Sequence, residues 1–424
     1  MQRYASYGAG LLLLAVSTLG AASDVAIDPG TASRIAMAKE QTSKNPAQPD
    51  SFTSLALALV KASRVTGSDD YLKQAEQAVA DALRVSPDNF EAQKAFVAVR
   101  LAEGRFSEAL AEAEALNKKV PDDNLLYGYL ADAQMALGDY AAALKSTQWM
   151  MNQRPGNVAA LERGAQLRDW FGYDDPALEW WNSSLRITSS FDSEERAWIL
   201  VNMSRVSTRM GKAADAEKSA REALKLIANY PLANDALAAA FMAQEKPGEA
   251  AEVLRQRLAV APNVRAEFRY AQALAAADKK SEAEAAFERF AKDAAARASQ
   301  PDNSNRELIE YYSTHGRTED AVKLGAGEVE RRHDIPTLAV YALALSAAGK
   351  YQDAKVQMDR ALEPGVREAE LFLRAGLIAA RLEDKSSAAR YLKKAIEINA
   401  SSPEAGRAME LLRTLSVVRD PDSV

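Results

Sequence analysis

The side chains suited to bond-making chemistry are few and scattered. The chain has two histidines, His315 and His333, and no cysteine. Thiolate catalysis, disulfides and cysteine metal sites are therefore excluded together. His315 precedes Gly316 in a predicted inter-helix turn, and His333 follows Arg331 and Arg332 near a helix end. Their spacing does not set them on one element as metal ligands, so both read as surface or helix-end residues. A serine nucleophile needs a base in reach, which two histidines hardly supply. The phosphate-cradling GxxxxGKS/T, the GxGxxG of dinucleotide folds and the HExxH of zinc proteases are missing. The carboxylate pairs Asp122-Asp123 and Glu194-Glu195 fall at predicted helix starts. There they complement the helix dipole and read as solvated termini rather than a hydrolytic pair. No catalytic residue, cofactor or metal site is expected.

What orders the chain is a repeat. Alanines recur at Ala75, Ala109, Ala143, Ala177, Ala216, Ala250, Ala283, Ala321, Ala354 and Ala388. The steps are 34, 34, 34, 39, 34, 33, 38, 33 and 34 residues. Such a period marks a stack of similar small units, which moves the expected function from chemistry to holding another molecule. In the clearest unit, Asn124 to Asn157, Leu130 and Ala131 lie in a first helix that Gly138 ends. Asp139 and Tyr140 start a second, followed by Ala143, Thr147, Met150 and Pro155. Its neighbour repeats the scheme with Val97, Gly104, Phe106, Ala109, Ala113, Leu116 and Pro121. Later units give Ala342, Gly349, Tyr351, Ala354, Met358 and Ala361, then Gly376, Ala388, Leu392 and Ala395. Small residues let two helices cross closely. Glycine closes a helix in the left-handed conformation, and proline stops the second helix.

This pattern resembles the tetratricopeptide repeat. The resemblance implies an all-α fold, a right-handed superhelical solenoid of about ten helix-turn-helix repeats with a C-terminal capping helix. Repeats one, four and eight match the pattern less well. The expected divisions are a signal peptide at 1–23, a leader and linker at 24–54, the solenoid at 55–402, the cap at 403–418 and a tail at 419–424. Within the leader, Arg34 to Lys44 reads as a helix and Asn45 to Asp50 as a turn. Met409, Leu411, Leu412 and Leu415 are expected to cover the last repeat. The two long steps carry extra residues around 187–193 and 295–303, expected to lengthen the second helix of a repeat or its following loop.

Composition bounds the setting. The net charge of −6 argues against a general nucleic-acid binder, which needs a basic footprint. At the start, Arg3 precedes the apolar run Gly10 to Val16, and small residues follow at Gly20, Ala21, Ala22 and Ser23. This reads as a secretory signal cleaved after Ala22 or Ser23, giving a periplasmic or secreted bacterial protein with no membrane segment after cleavage.

The resemblance also implies where a partner sits, since the first helices of such repeats line the concave side. Counting back from each phase alanine selects Trp170, Trp198, Arg205, Arg209, Arg265, Phe268 and Arg306 as partner-binding candidates. Arginines beside aromatic surface favour an acidic or C-terminal peptide segment, or an anionic glycan. The two-carboxylate clamp of the chaperone-binding members is absent, because Lys94 is followed by Ala98 and Val60 by Arg64. All five tryptophans lie between Trp149 and Trp198. Trp181 is expected in the core, and adjacent Trp180 exposed or against the next repeat. The function expected is a non-catalytic periplasmic scaffold binding a protein segment. The alternative is an accessory subunit of an envelope or exopolysaccharide export machine. An open solenoid end or the tryptophan patch also allows self-association.

Overall fold

A computed structural model describes residues 27–417, apart from 302 and 401. The expected signal at 1–23 and tail at 419–424 lie outside the described residues. Among those described, every regular element is a helix. One helix, α1 (Pro29–Lys44), precedes the repeats. Repeats one to five are the hairpins α2 (Pro49–Thr66) with α3 (Asp69–Val85), α4 (Phe90–Ala102) with α5 (Phe106–Lys119), α6 (Asn124–Leu137) with α7 (Tyr140–Gln153), α8 (Val158–Trp170) with α9 (Asp174–Ile187), and α10 (Ser193–Arg209) with α11 (Ala213–Leu226). Repeats six to ten are α12 (Pro231–Ala243) with α13 (Pro247–Val260), α14 (Val264–Ala276) with α15 (Lys280–Ala296), α16 (Asn305–Thr314) with α17 (Thr318–Arg331), α18 (Ile335–Ala347) with α19 (Tyr351–Leu362), and α20 (Ala369–Arg381) with α21 (Lys385–Ile398). The last helix is α22 (Pro403–Val417).

Local signals set the helix starts. Asn89, Asp123, Asp139, Asn157 and Asp334 each accept a backbone N–H of the helix they precede. Proline occupies the first turn of α2, α12, α13 and α18, where no intrahelical N–H is needed. Within each hairpin the phase alanine is the crossing point. Nine of the ten are fully buried, and Ala283 is 4% exposed. Gly376 shows the same demand for closeness, since a Cβ there would stand 2.7 Å from Leu392. One repeat further on, the matching place in α22 holds exposed Glu410. The row thus ends on a helix with a polar outer side, as a solenoid end requires. Leu411, Leu412 and Leu415 pack towards Leu373 and Leu392. Met409 does not join them and stays 37% exposed.

Two expectations need correction. The repeats begin earlier than residue 55, because Pro49 and Asp50 form the first turn of α2 rather than a linker. The extra residues of the 39-residue step lengthen the first helix of repeat five, not a second helix. α10 has 17 residues where α8 has 13, and its added turn carries Glu194 and Glu195. The 38-residue step does lengthen a second helix, α15, which also has 17 residues.

Successive turns of the superhelix touch. The His333 amide donates to the Leu137 carbonyl at 2.9 Å, and the Arg367 amide to the Phe171 carbonyl at 2.9 Å. The Ile335 amide donates to the Tyr140 hydroxyl at 2.8 Å, across 195 residues of chain. Tyr140 also packs on Ile335 and Leu338. The turn between the helices of repeats three and four therefore rests on the junctions eight–nine and nine–ten. Gly138 and Gly172 make this contact possible. Both have positive φ, and a Cβ would lie 2.6 Å from His333 and 2.1 Å from the Arg367 carbonyl oxygen. Repeat one joins the same seam, with Val65 buried against Ala197, Leu200 and Tyr230. Both breaks in the period reach it as well. Asp192 and Glu194 pair with Lys61 at 2.8 and 3.2 Å, and Arg297 pairs with Asp69 at 3.0 Å.

Candidate functional site

Where the first helices of two turns face each other they leave a cavity of about 200 Å³. From one turn it is lined by Asp169, Trp170, Arg205 and Arg209, and from the other by Ile335, Pro336 and Glu368. Helices α8 and α10 present Asp169, Arg205 and Arg209 on neighbouring ridges, while Glu368 is the residue that precedes α20. Asp169 is nearly fully buried and accepts from both Arg205 and Arg209. Arg209 also donates through Nε to Asp174 at 2.9 Å. Burial alone would lower the Arg209 guanidinium, but Asp169 and Asp174 overcome it and raise it above its ordinary value. Arg205 spends one amino group on Asp169, yet its side chain keeps 55% of its exposure. Its remaining donors are open to a ligand. Burial raises the Glu368 carboxyl, with Arg209 opposing.

The rest of the inner wall is a ladder of pairs between adjacent repeats. Lys94 reaches Asp123 at 2.7 Å, Arg163 reaches Asp132 at 2.5 Å, Arg265 reaches Glu307 at 2.9 Å and Arg306 reaches Asp334 at 3.3 Å. Two carboxyls on this wall are raised. Burial, then the nearby Glu195 carboxylate, push Glu162 up to about 9. Burial likewise lifts Glu310, against Arg374. Among the described residues no three histidine, aspartate or glutamate side chains converge as metal ligands, and no helix is long and apolar enough to cross a membrane.

No family model and no curated protein matches the chain. Solved structures do. IFIT1, as a monomeric mutant with m7Gppp-AAAA, aligns over 79% of this chain and 76% of its own at 14% identity, with a TM-score of 0.52. TTC0263, a thermophilic tetratricopeptide protein of Thermus thermophilus, aligns over 44% of this chain and 98% of its own at 23% identity, with a TM-score of 0.40. Yeast Tom70 aligns over 92% and 96% at 12% identity, with a TM-score of 0.42. The fold is that of the tetratricopeptide repeat.

Within that fold the sequence-selected residues fall in four places. Trp170, Arg205 and Arg209 meet at the cavity. Arg265 and Arg306 stand on the same wall but are engaged by Glu307 and Asp334, and burial lowers the Arg306 guanidinium against Asp334. Trp198 sits edge-on to Trp181 at 5.3 Å, with the Arg64 guanidinium 5.5 Å from its centroid. Phe268 is a correction. It is 5% exposed and packs on Phe287 and Phe290 of α15, so it is core and not groove wall. Trp181 is fully buried. Trp180 turns back instead of forward, lying over Gly164 of its own repeat, with the Arg168 guanidinium 3.6 Å from its ring centroid. A Cβ at Gly164 would come within 2.2 Å of that ring. Glu368, Ile335 and Pro336 were not selected, because nothing in one repeat signals which later repeat will face it.

Proposed function

We propose that this tetratricopeptide solenoid is a non-catalytic scaffold that holds a protein segment on its inner wall, anchored at the cavity between turns. The observation that carries this is Arg205, a half-exposed guanidinium fixed by buried Asp169 beside Trp170. Fixed donors next to an aromatic surface hold a partner at small entropic cost. The cavity takes a single side chain or chain end, so affinity must also come from contacts outside it. The capped oligonucleotide of IFIT1 does not transfer, since most arginines of this wall are matched by carboxylates and the chain is acidic. The N-terminal pattern supports export, with the mature chain beginning at Ser23 or Asp24.

A photoreactive amino acid in place of Arg205, compared with one in place of exposed Lys145 on α7, tests the reading. A discrete protein adduct from the Arg205 position alone supports it. Equal labelling from both positions, or none, removes it. A carbohydrate adduct would favour the accessory role in glycan export. Sequencing the mature N-terminus tests export separately.

A further inference from the structure

The added turn of α10 does two things at once. Its first residues hold repeat one, and the far end of the same helix lines the inner cavity. At the start, Glu194 is fully buried, with Lys61 Nζ at 3.2 Å and Arg64 Nε at 2.5 Å, and Glu195 adds a contact to Arg64 at 3.4 Å. Asp192, which caps α10, adds a pair with Lys61 at 2.8 Å. At the other end, Arg205 and Arg209 bind Asp169 and Asp174 at the cavity. The intervening residues Ala197, Ile199 and Val206 are fully buried, so the helix is gripped along its length and moves as one rod. Among the described residues, repeat one packs on no earlier hairpin, and α1 lies against its first helix. Its grip on the rest of the molecule is therefore divided between repeat two and this seam.

We propose that α10 is a strap that couples the inner cavity to the docking of repeat one, so that filling the cavity and closing the first repeat onto the fifth favour each other. This rests on the cavity being the partner site. The physical route is short. A ligand that draws on Arg205 or Arg209 changes how α10 is held against α8, and the same rod carries the Asp192–Glu195 turn that repeat one grips. Thermodynamic linkage requires the effect to run both ways. The coupling belongs to a two-state docking of one hairpin and needs no chain of intermediaries. The period itself supports this assignment. A 34-residue repeat gives α10 no reason for its added turn, and that turn meets a repeat some 130 residues away.

The absence of cysteine allows a direct measurement. Spin labels at Gln74→Cys on α3 and Lys218→Cys on α11, both exposed, report the distance between repeats one and five by electron-electron resonance. The full chain should give one narrow distance. The milder E195Q and the stronger E194Q should broaden and lengthen it, in that order. The cavity variant R205Q, combined with R209Q, should shift it in the same direction, although those residues touch nothing in repeat one. Arg221→Gln, in an exposed pair on α11, should leave it unchanged. Circular dichroism confirms that each variant keeps its helices. A distance that moves with E194Q but ignores the cavity variants overturns the coupling and leaves the scaffold reading intact. A distance that ignores all of them overturns the strap itself. Loss of the protein adduct at Arg205, with coupling preserved, would instead remove the scaffold reading alone.

Discussion

Repeats nine and ten differ from repeats four and five in what their residues touch. In repeat nine, Ala342, Leu345, Ala354 and Met358 fill the space between α18 and α19 and their neighbours. These residues sit where the period puts them and act locally, and only the start of α18, with Ile335 and Leu338, reaches Tyr140 of the facing turn. In repeats four and five the period breaks, and the added turn of α10 sends Glu194 into repeat one. A solenoid with nearest-neighbour contacts alone would have stability close to a sum of repeat terms. This one has long-range terms where its turns touch and where its period breaks. The difference teaches that irregularities in a repeat are the places to look for contacts that the repeat cannot make.

Five changes sharpen that contrast. Glu194→Ala leaves Lys61 and Arg64 facing each other with less counter-charge and should cost about 3 kcal/mol in urea unfolding. Gly172→Ala should cost about 2 kcal/mol, since the seam leaves no room for a Cβ. Gly211 has a similar φ of +74° but open space, so Gly211→Ala should cost only about 1 kcal/mol. Equal costs would mean that the seam does not constrain Gly172. Next comes Glu162. Its folded carboxyl titrates far above its unfolded value, so the folded state holds a proton that the unfolded chain has lost. Its contribution is fully present below the unfolded value and is lost as pH rises towards about 9. Glu162→Gln keeps a donor for Glu195 and should raise stability at pH 8 by about 1 kcal/mol. The melting temperature of the variant should fall less between pH 5 and pH 9 than that of the parent. The smallest effect belongs to Arg297→Ala. Its pair with Asp69 is exposed, and its loss should change stability by less than about 0.5 kcal/mol.

The hairpins were legible because each is specified by residues within one period. The phase alanines, Gly138 as a helix end and Asp139 as a cap all act within a few residues of themselves. The seam was not legible, because the pitch of the superhelix accumulates from small rotations at every junction and no single residue encodes it. Nothing near Gly172 in the sequence therefore signals that Arg367 presses on it. Glu194 and Glu195 read as a solvated helix start, since the chain that buries them lies so far away. Phe268 occupies a concave place by count. The long α15 brings Phe287 and Phe290 over it, which the count does not see. For the candidate site, Trp170, Arg205 and Arg209 of one turn were found, and Ile335, Pro336 and Glu368 of the facing turn were not.

The contact between turns is the central claim, and one hydrogen bond isolates it. The Ile335 amide donates to the Tyr140 hydroxyl, and the two are joined by no contact that a nearest-neighbour solenoid provides. Hydrogen exchange of the Ile335 amide in Tyr140→Phe tests this directly. The touching turns predict faster exchange at Ile335, with Leu373 and Ala379 in repeat ten unchanged. An Ile335 amide that exchanges at the parent rate would contradict the seam and leave an open solenoid.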